Sequence, residues 1–372
     1  MARPEPRVST ATAIEGRPWK RFALGILLST LLLSGLFVTL DLKPSKVWDA
    51  LAQLPPASLL LIVAVHLIAL IAKVKRWGLL LAGSDCQPQA ASADSDDPAL
   101  RHLVQDSVFL GWLGNLLLPA KSGELVRPLI YSRRSQLPFP RILSTVVLER
   151  SFDLLVIALL FWTSVFLLQA PSELPPSLIA SSRLAGLASL LLVVGLVVLW
   201  KMVPADASRM TKASGWAEQL NRGLLHFRQG LASFRRPQLL MGVLGWSLLS
   251  WSTEVVGAWL CLKAFALQIT SAWAAACLHV VATTLAVSVV PVPGGLGVEQ
   301  PVTLAVFAPF FSGSLPAEEL VAISLVLSFA SIFWVAPLGL LGMWRQGARL
   351  NAEPQPGPAI VTTAGYETPP DD

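Results

Sequence analysis

The sequence has few charged residues, and this shortage excludes an ordinary soluble protein. Asp, Glu, Lys and Arg make up 14% of its 372 residues, whereas 54% are hydrophobic. Soluble domains contain about 25% charged residues. The basic residues, which give a net charge of +5, are dispersed between apolar runs instead of clustered on a polar surface. This dispersal argues against a nucleic-acid partner. The composition therefore predicts a polytopic membrane protein.

Cysteines and catalytic signatures are also scarce. Cys86, Cys261 and Cys277 form no CxxC or Cys/His ligand pattern, which excludes a disulfide framework and a zinc site. The histidines have no HExxH-like spacing, and the sequence contains no serine elbow and no GxGxxG nucleotide motif. We therefore predict no catalytic residues, no metal, no cofactor and no enzymatic activity.

Long apolar runs are abundant, and a run of about 20 residues is long enough to cross a bilayer as a helix. The second run is short unless it continues past Lys73 toward Leu81. Two further runs end in Pro/Gly-rich polar stretches. The prediction is an all-α polytopic membrane protein with about six to eight transmembrane helices, including two Pro/Gly-broken segments that either re-enter or span. The full runs are 22–40, 58–71, 146–168, 184–203, 239–262 and 320–343, and the broken ones are 108–118 and 273–290.

The polar segments set the predicted domain boundaries. Residues 1–20 form a basic N-terminal segment, residues 21–345 the transmembrane domain, and residues 346–372 a proline-rich disordered tail. Within the domain, residues 204–237 are basic and amphipathic, which favours a surface helix on the cytoplasmic leaflet. The apolar run that follows the N-terminal segment lacks a small-residue cleavage site, so we expect an uncleaved first helix.

The distribution of Lys and Arg predicts the topology. The basic blocks 73–76 and 121–141 both belong on the cytoplasmic side, which requires segment 108–118 to re-enter. The same count makes residues 273–311 re-entrant from the opposite face and puts both termini in the cytoplasm. The two breaks, "LLLPAKSGELV" and "VVPVPGGLGVEQPV", resemble each other weakly, so the halves either form an inverted repeat or share only the composition of any membrane hairpin.

The first polar constellation is "GNLLLPAKSGELVRPL", residues 114–129. Glu124 and Arg127 are three residues apart and can pair on one helical face. The N-terminus of that helix is a ready phosphate site beside two cations. The alternative is an interfacial turn with snorkelling cations and a local ion pair. The candidate substrate-binding residues here are Asn115, Pro119, Lys121, Gly123, Glu124 and Arg127.

The second constellation is "LERSFDLL", residues 148–155, near the start of a spanning run. Glu149 and Asp153 share a helical face, and Arg150 can reach Asp153. Each charge costs about 2.5–3.5 kcal/mol at the bilayer centre, so we expect these residues to face protein, water or each other. Either a structural ion network or a lipid-headgroup or gating role accounts for them. Glu254 is a further candidate for an internal polar contact, with no partner nearby in sequence.

The third constellation is "PVPGGLGVEQ", residues 291–300, which follows an apolar run. Prolines stop the helical hydrogen bonding, glycines permit positive φ or close backbone approach, and the freed N–H groups need a ligand, water or a side chain. We interpret the stretch as a broken membrane helix. Its candidate site residues are Pro293, Gly294, Gly295, Gly297, Glu299 and Gln300.

The ordered set "NLLLPAKSGELVR", "LERSFD" and "PVPGGLG" resembles the lysylphosphatidylglycerol synthase transmembrane region, a flippase-like membrane family, over residues 20–345. The resemblance implies a multi-pass protein of the inner (plasma) membrane that translocates or handles a phospholipid or a polyprenyl- or hopanoid-type lipid. Membrane lipids and a lipid-modifying enzyme are the implied partners. We expect this protein to lack the aminoacyl-transferring half of the fused family members, so we do not expect synthase activity. The alternatives are a membrane enzyme acting on a lipid phosphate or glycolipid, and a non-transporting subunit that recruits a synthase.

The resemblance also implies which residues form the site, and this sequence departs from the family at two of them. The family often has arginine where this chain has Lys121, which keeps the charge and loses the bidentate fork. The acidic residue of the family commonly lies at the position of Gln300, whereas the acidic residue of this chain is Glu299, one position earlier. We therefore do not expect Glu299 to couple protons. The matching positions are Asn115, Pro119, Gly123, Glu124, Arg127, Glu149, Arg150, Asp153, Pro293, Gly294, Gly295 and Gly297.

Overall fold

The computed structural model describes residues 17–84, 86, 98–118, 122–168, 187, 190–191, 194–203, 216–267, 269, 271–290, 292–311 and 316–352. This part of the chain is helical and contains no strand, which confirms the predicted all-α class. The helices are α1 (Arg17–Thr39), α2 (Pro44–Ala52), α3 (Pro56–Gly83), α4 (Pro98–Leu117), α5 (Gly123–Ser135), α6 (Phe139–Leu168), α7 (Trp216–Gly230), α8 (Pro237–Ala264), α9 (Ala272–Val289), α10 (Glu299–Phe307) and α11 (Ala317–Ala352).

Five of the described helices, α3, α6, α8, α9 and α11, are long and apolar enough to cross a membrane. A sixth candidate is the pair α1 and α2, which is bent by 98° at the break between them. The predicted run 58–71 is part of the 28-residue α3, so the expected continuation past Lys73 is confirmed. The predicted run 184–203 lies only partly within the described residues, where residues 194–202 are helical.

Both broken segments fold into hairpins of two helices. In the first hairpin, α4 and α5, Leu103 and Tyr131 share a cluster with Leu81, so α5 returns to the end of the molecule where α4 begins. In the second, α9 and α10, Ala275 and Phe307 share a cluster near the end of α8. The hairpin geometry that re-entry requires is therefore present in both segments. The second hairpin is deep, because α9 alone is long enough to span.

The order helix, hairpin, helix occurs twice, as α3, α4–α5, α6 and as α8, α9–α10, α11. The helices α3 and α8 run antiparallel, because Lys73 contacts Glu254 while Gly83 faces Leu239. Each hairpin packs on the last helix of the other half, α4 on α11 and α9 on α6. The hairpins thus enter from opposite ends, which is the arrangement of an inverted repeat.

Two predicted domain boundaries differ from the helix ends. The helix α11 continues past position 345 to Ala352. Arg345 and Gln346 both reach Asp106 of α4, at 3.4 Å and 3.3 Å, and these contacts hold the last turns of α11 in place. At the other terminus α1 begins at Arg17, within the predicted N-terminal segment. Residues 1–16 and 353–372, and residues 204–215 of the predicted surface helix, lie outside the described residues.

Candidate functional site

A cavity of about 530 Å³ lies where the tips of the two hairpins meet. At the contact between the tips, a Cβ atom on Gly294 would lie 3.1 Å from the side chain of Leu116. Both halves contribute to the wall, through side chains that include Lys73 and Arg150 from the first half and Glu254 and Glu299 from the second. Ligand sites commonly have volumes of about 300–1,000 Å³. The cavity is therefore large enough for a lipid headgroup.

A cluster of buried charges forms one side of this cavity. Arg76 of α3 donates hydrogen bonds to Asp153 (Nη1–Oδ1, 2.5 Å) and to Glu149, and also to Ser247 of α8 at 3.0 Å. Arg127 of α5 donates to the other oxygen of Glu149 at 2.6 Å, and its guanidinium lies 4.7 Å from the centre of the Trp77 ring. Charges removed from water need partners of opposite sign, and these pairs supply them. The cluster therefore joins α3, α5 and α6 at the level of the hairpin tips.

Arg150 completes this arginine cluster and differs from the other two arginines in its exposure. Its side chain is 43% exposed and lines the cavity, whereas those of Arg76 and Arg127 are 1% and 4% exposed. Its guanidinium lies 3.1 Å from Asp153 and 3.4 Å from Glu124. The arginine cluster thus has three cations and three carboxylates, and Arg150 is its most exposed cation.

A second charged group surrounds Glu254 of α8. Lys73 of α3 donates to this carboxylate at 2.9 Å, and His66 Nε2 lies 3.5 Å from it. His66 Nδ1 donates to the Ile62 carbonyl at 2.8 Å. The imidazole fits because α8 has Gly257 there, where a Cβ atom would lie 2.9 Å from the ring. The partner that the sequence did not indicate for Glu254 is therefore on α3.

The tip of the second hairpin is built from glycines in the left-handed region. Gly294, Gly295 and Gly297 have φ values of 62°, 76° and 88°, which favour glycine over any residue with a Cβ atom. Gln300 accepts a hydrogen bond from the N–H of Gly297 at 2.7 Å and so satisfies one freed backbone donor. Glu299 accepts a hydrogen bond from Ser328 of α11 and lines the cavity. This confirms the prediction that the stretch is a helix break whose glycines adopt positive φ.

Comparison with known proteins identifies the family. The family described as the lysylphosphatidylglycerol synthase TM region matches residues 22–339. The chain belongs to this family. A curated relative, glycosyltransferase AglD of Haloferax volcanii, is 27% identical over 134 residues, which cover 36% of this chain and 19% of that protein. The matched segment thus spans about a fifth of the length of that relative. The family match and the spanning helices together identify a multi-pass membrane protein of lipid-related processes.

In this lysylphosphatidylglycerol synthase TM region, the predicted site residues divide between the cavity wall and a supporting layer. The predicted i,i+3 pairs are confirmed, with Arg127 3.7 Å from Glu124 and Arg150 3.1 Å from Asp153. The wall contains Asn115, Glu124, Arg150, Asp153, Gly294, Gly295 and Glu299. Behind it lie Gly123, Arg127, Glu149, Gly297 and Gln300, each buried. Pro119 and Lys121 lie outside the described residues, as does the side chain of Pro293.

The expected roles of the basic residues change accordingly. Arg127, expected to attract a phosphate, is occupied by Glu149 and Trp77 and supports the cavity from behind. The cavity-facing cations are Arg150 and Lys73, and Arg76 also borders the cavity. In the sequence, Lys73 and Arg76 stand out only as members of the basic block 73–76. The one sequence signal for a functional role is that both are ionisable residues within an apolar run. Such residues are by default candidates for a functional site.

Proposed function

We propose that this family member translocates or otherwise handles a phospholipid or a polyprenyl- or hopanoid-type lipid, whose headgroup phosphate binds in the cavity between the hairpin tips. The observation that carries the proposal is the half-exposed Arg150 in the wall of that cavity, beside Lys73. A guanidinium binds phosphate oxygens through a planar fork of N–H donors, and an ammonium binds them as a point charge.

The hydrogen bonds that Arg76 and Arg127 donate to the neighbouring carboxylates make Arg150 available to face a phosphate. Glu149 and Asp153 each accept hydrogen bonds from Arg76, and Glu149 also accepts one from Arg127. These bonds hold and neutralise the two carboxylates, so they compete less strongly for Arg150. The long contacts of Arg150, 3.4 Å to Glu124 and 3.4 Å to Glu149, are ones that a phosphate can replace.

The position of the cavity supports handling of a whole lipid. Its wall continues from the charged groups to apolar side chains such as Leu116, Val287 and Val335. A headgroup cannot cross hydrocarbon without large cost, whereas a polar cavity between two hairpins from opposite ends offers it a protein-lined route. The acyl or prenyl chains can then stay on the apolar side.

We propose binding and transport without catalysis by this chain. Each carboxylate of the arginine cluster is engaged with at least one guanidinium, which leaves these acids poorly placed for acid–base work. Membrane lipids are the proposed cargo, and an enzyme that modifies them is the proposed protein partner. Mass spectrometry of lipids incubated with the purified protein is expected to detect no new product.

The transport proposal is tested in proteoliposomes with a fluorescent phospholipid, by measuring how fast a membrane-impermeant quencher can reach label from the inner leaflet. Wild-type protein is expected to exchange the lipid. Arg150→Gln is expected to slow exchange about tenfold or more, because a hydrogen bond to a charged group contributes about 1.5–3 kcal/mol.

The matched control is Arg222→Gln on α7, which removes an exposed arginine that pairs with Glu218 at 3.4 Å and is not part of the cavity wall. This variant is expected to exchange lipid at the wild-type rate. Exchange by wild-type protein no faster than in empty liposomes would overturn the proposal, and so would equal rates for Arg150→Gln and wild type.

A further inference from the structure

The second half of the molecule contributes a wall of hydroxyl groups to the same cavity. Thr283 and Thr284 lie on α9, and Ser328 and Ser331 lie on α11. His279, one turn before Thr283, also lines the cavity and is 6% exposed. This wall differs in chemistry from the side formed by Arg150 and Lys73, whose groups are hydrogen-bond donors.

The proton of His279 can be placed from its contacts. Thr303 Oγ1 lies 2.7 Å from the carbonyl of Glu299, and because a carbonyl only accepts, the Thr303 hydroxyl must donate there. The contact of 3.0 Å between Thr303 Oγ1 and His279 Nε2 then requires the N–H to be on Nε2. In the neutral ring, Nδ1 is consequently an acceptor. It is buried and has no hydrogen-bond partner among the described residues.

Two of the hydroxyl protons on this wall, those of Thr283 and Ser328, are committed to neighbouring acceptors. Thr283 Oγ1 donates to the His279 carbonyl at 2.7 Å. Ser328 Oγ contacts a carboxylate oxygen of Glu299 and, at 2.9 Å, the Ser324 carbonyl, and both of these can only accept. Each of the two hydroxyls therefore presents lone pairs to the cavity. Together with the carboxylate of Glu299, they provide a set of hydrogen-bond acceptors on this wall, which we call the acceptor wall.

We propose that the headgroup bound in this cavity carries hydrogen-bond donors in addition to its phosphate, as a polyol, a sugar or a primary ammonium group does. This inference rests on the proposed function and narrows its substrate class. The phosphate binds on the side of Arg150 and Lys73, and the O–H or N–H groups bind on the acceptor wall. A headgroup without donors leaves the acceptor wall unpaired after water has been displaced, which is unfavourable.

The test compares fluorescent lipids that differ only in donors, in proteoliposomes containing the full chain. Phosphatidylglycerol and phosphatidylmethanol have the same charge, and only the first has hydroxyl donors. Phosphatidylethanolamine and phosphatidylcholine are both zwitterionic, and only the first has N–H donors. We expect exchange at least about tenfold faster for the donor-bearing member of at least one pair, because a site built to hydrogen-bond a hydroxyl or amine rejects an analogue that lacks it.

The two pairs distinguish the source of the donor. A preference within the glycerol pair alone identifies hydroxyl recognition, a preference within the ethanolamine pair alone identifies ammonium recognition, and both together identify donors in general. Equal rates within both pairs would overturn this inference and leave the proposed function standing. Exchange of none of the four lipids would overturn both.

A double variant tests whether the acceptor wall causes the preference for donor-bearing lipids. The double change Thr283→Val and Ser328→Ala is expected to bring the rate ratio within the preferred pair close to one, because it slows exchange of the donor-bearing lipid more than exchange of the donor-free lipid. Thr163→Val is the control, because this threonine of α6 likewise donates to its own helix, to Leu159 at 2.8 Å, and is not part of the cavity wall. An unchanged ratio in the double variant would overturn the assignment to this wall.

Discussion

At the scale of single residues, burial determines which charged side chains of this protein need a partner of opposite charge. Glu149 is fully buried, yet it accepts hydrogen bonds from two arginines on different helices. A lone carboxylate at that position would be too costly to keep ionised, whereas the paired arrangement retains its charge. Arg76 holds the cluster together, because it bonds both Glu149 and Asp153.

We therefore expect Arg76→Ala to destabilise the protein strongly. The change leaves two buried carboxylates short of a partner, and breaking a buried ion pair from one side costs about 3–5 kcal/mol. Thermal unfolding of the purified protein in detergent measures the effect. The exposed pair Arg222–Glu218 provides the comparison, because Arg222→Ala should cost only about 0.3–0.5 kcal/mol. Equal melting temperatures for the two variants would contradict the central role of Arg76.

At the scale of elements, the first hairpin depends on glycines where its helices cross. A Cβ atom on Gly114 would lie 2.9 Å from the Cα atom of Gly123, and one on Gly123 would collide with the Gly111 carbonyl and with Asn115. Small residues let helices approach closely inside a membrane, where van der Waals packing is a main source of association. The start of α5 is thus held against α4, which positions Glu124 and Asn115 at the cavity.

Gly123→Ala is accordingly expected to open the hairpin and to lower stability by about 1–3 kcal/mol or more, as overpacking does. The matched control is Gly223→Ala on α7, where an added Cβ atom meets nothing within 4 Å. That change should be neutral or should stabilise the helix by about 0.5–1 kcal/mol. The unfolding temperatures of the two variants check this prediction, and a Gly123→Ala protein as stable as Gly223→Ala would show that α4 and α5 do not cross in close contact.

At the scale of the whole molecule, the cavity belongs to neither half alone. Its wall combines Arg150 from the first half with Glu254 and Glu299 from the second. The helices of the two antiparallel halves run between two opposite ends of the molecule, and these ends carry different charged residues. Arg133 at the end of α5 lies at one end, whereas Lys46, which pairs with Glu318 at 3.7 Å, lies at the other. The start of α1 and the end of α11 both lie at the end that carries Arg133.

We predict that the end carrying Arg133 faces the cytoplasm, in keeping with the positive-inside rule. A membrane-impermeant maleimide should therefore label Lys46→Cys in intact cells and Arg133→Cys only after permeabilisation. The wild-type chain is a suitable control, since its three cysteines are buried. The reversed pattern would contradict the predicted orientation, and labelling of both variants in intact cells would contradict the two-ended arrangement.

The sequence by itself determined the features that depend on neighbouring residues along the chain. Hydropathy and length predicted the all-α class and most of the spanning helices, because a bilayer requires long apolar helices. Helical periodicity predicted the pairs Glu124–Arg127 and Arg150–Asp153. The prolines and glycines of the two breaks predicted where the helices stop, since the causes of a break are local.

Only the tertiary structure decided which charges meet across the molecule and which of them face the cavity. Arg76 bonds Asp153, which lies 77 residues further along the chain, and Lys73 bonds Glu254, which lies 181 residues further along. Hydropathy and periodicity describe one helix at a time, whereas these contacts depend on how α3 packs against α6 and α8. The same packing turned Arg127 away from the cavity and turned Arg150 toward it. Local spacing cannot distinguish these two arginines, because each lies three residues from its acid.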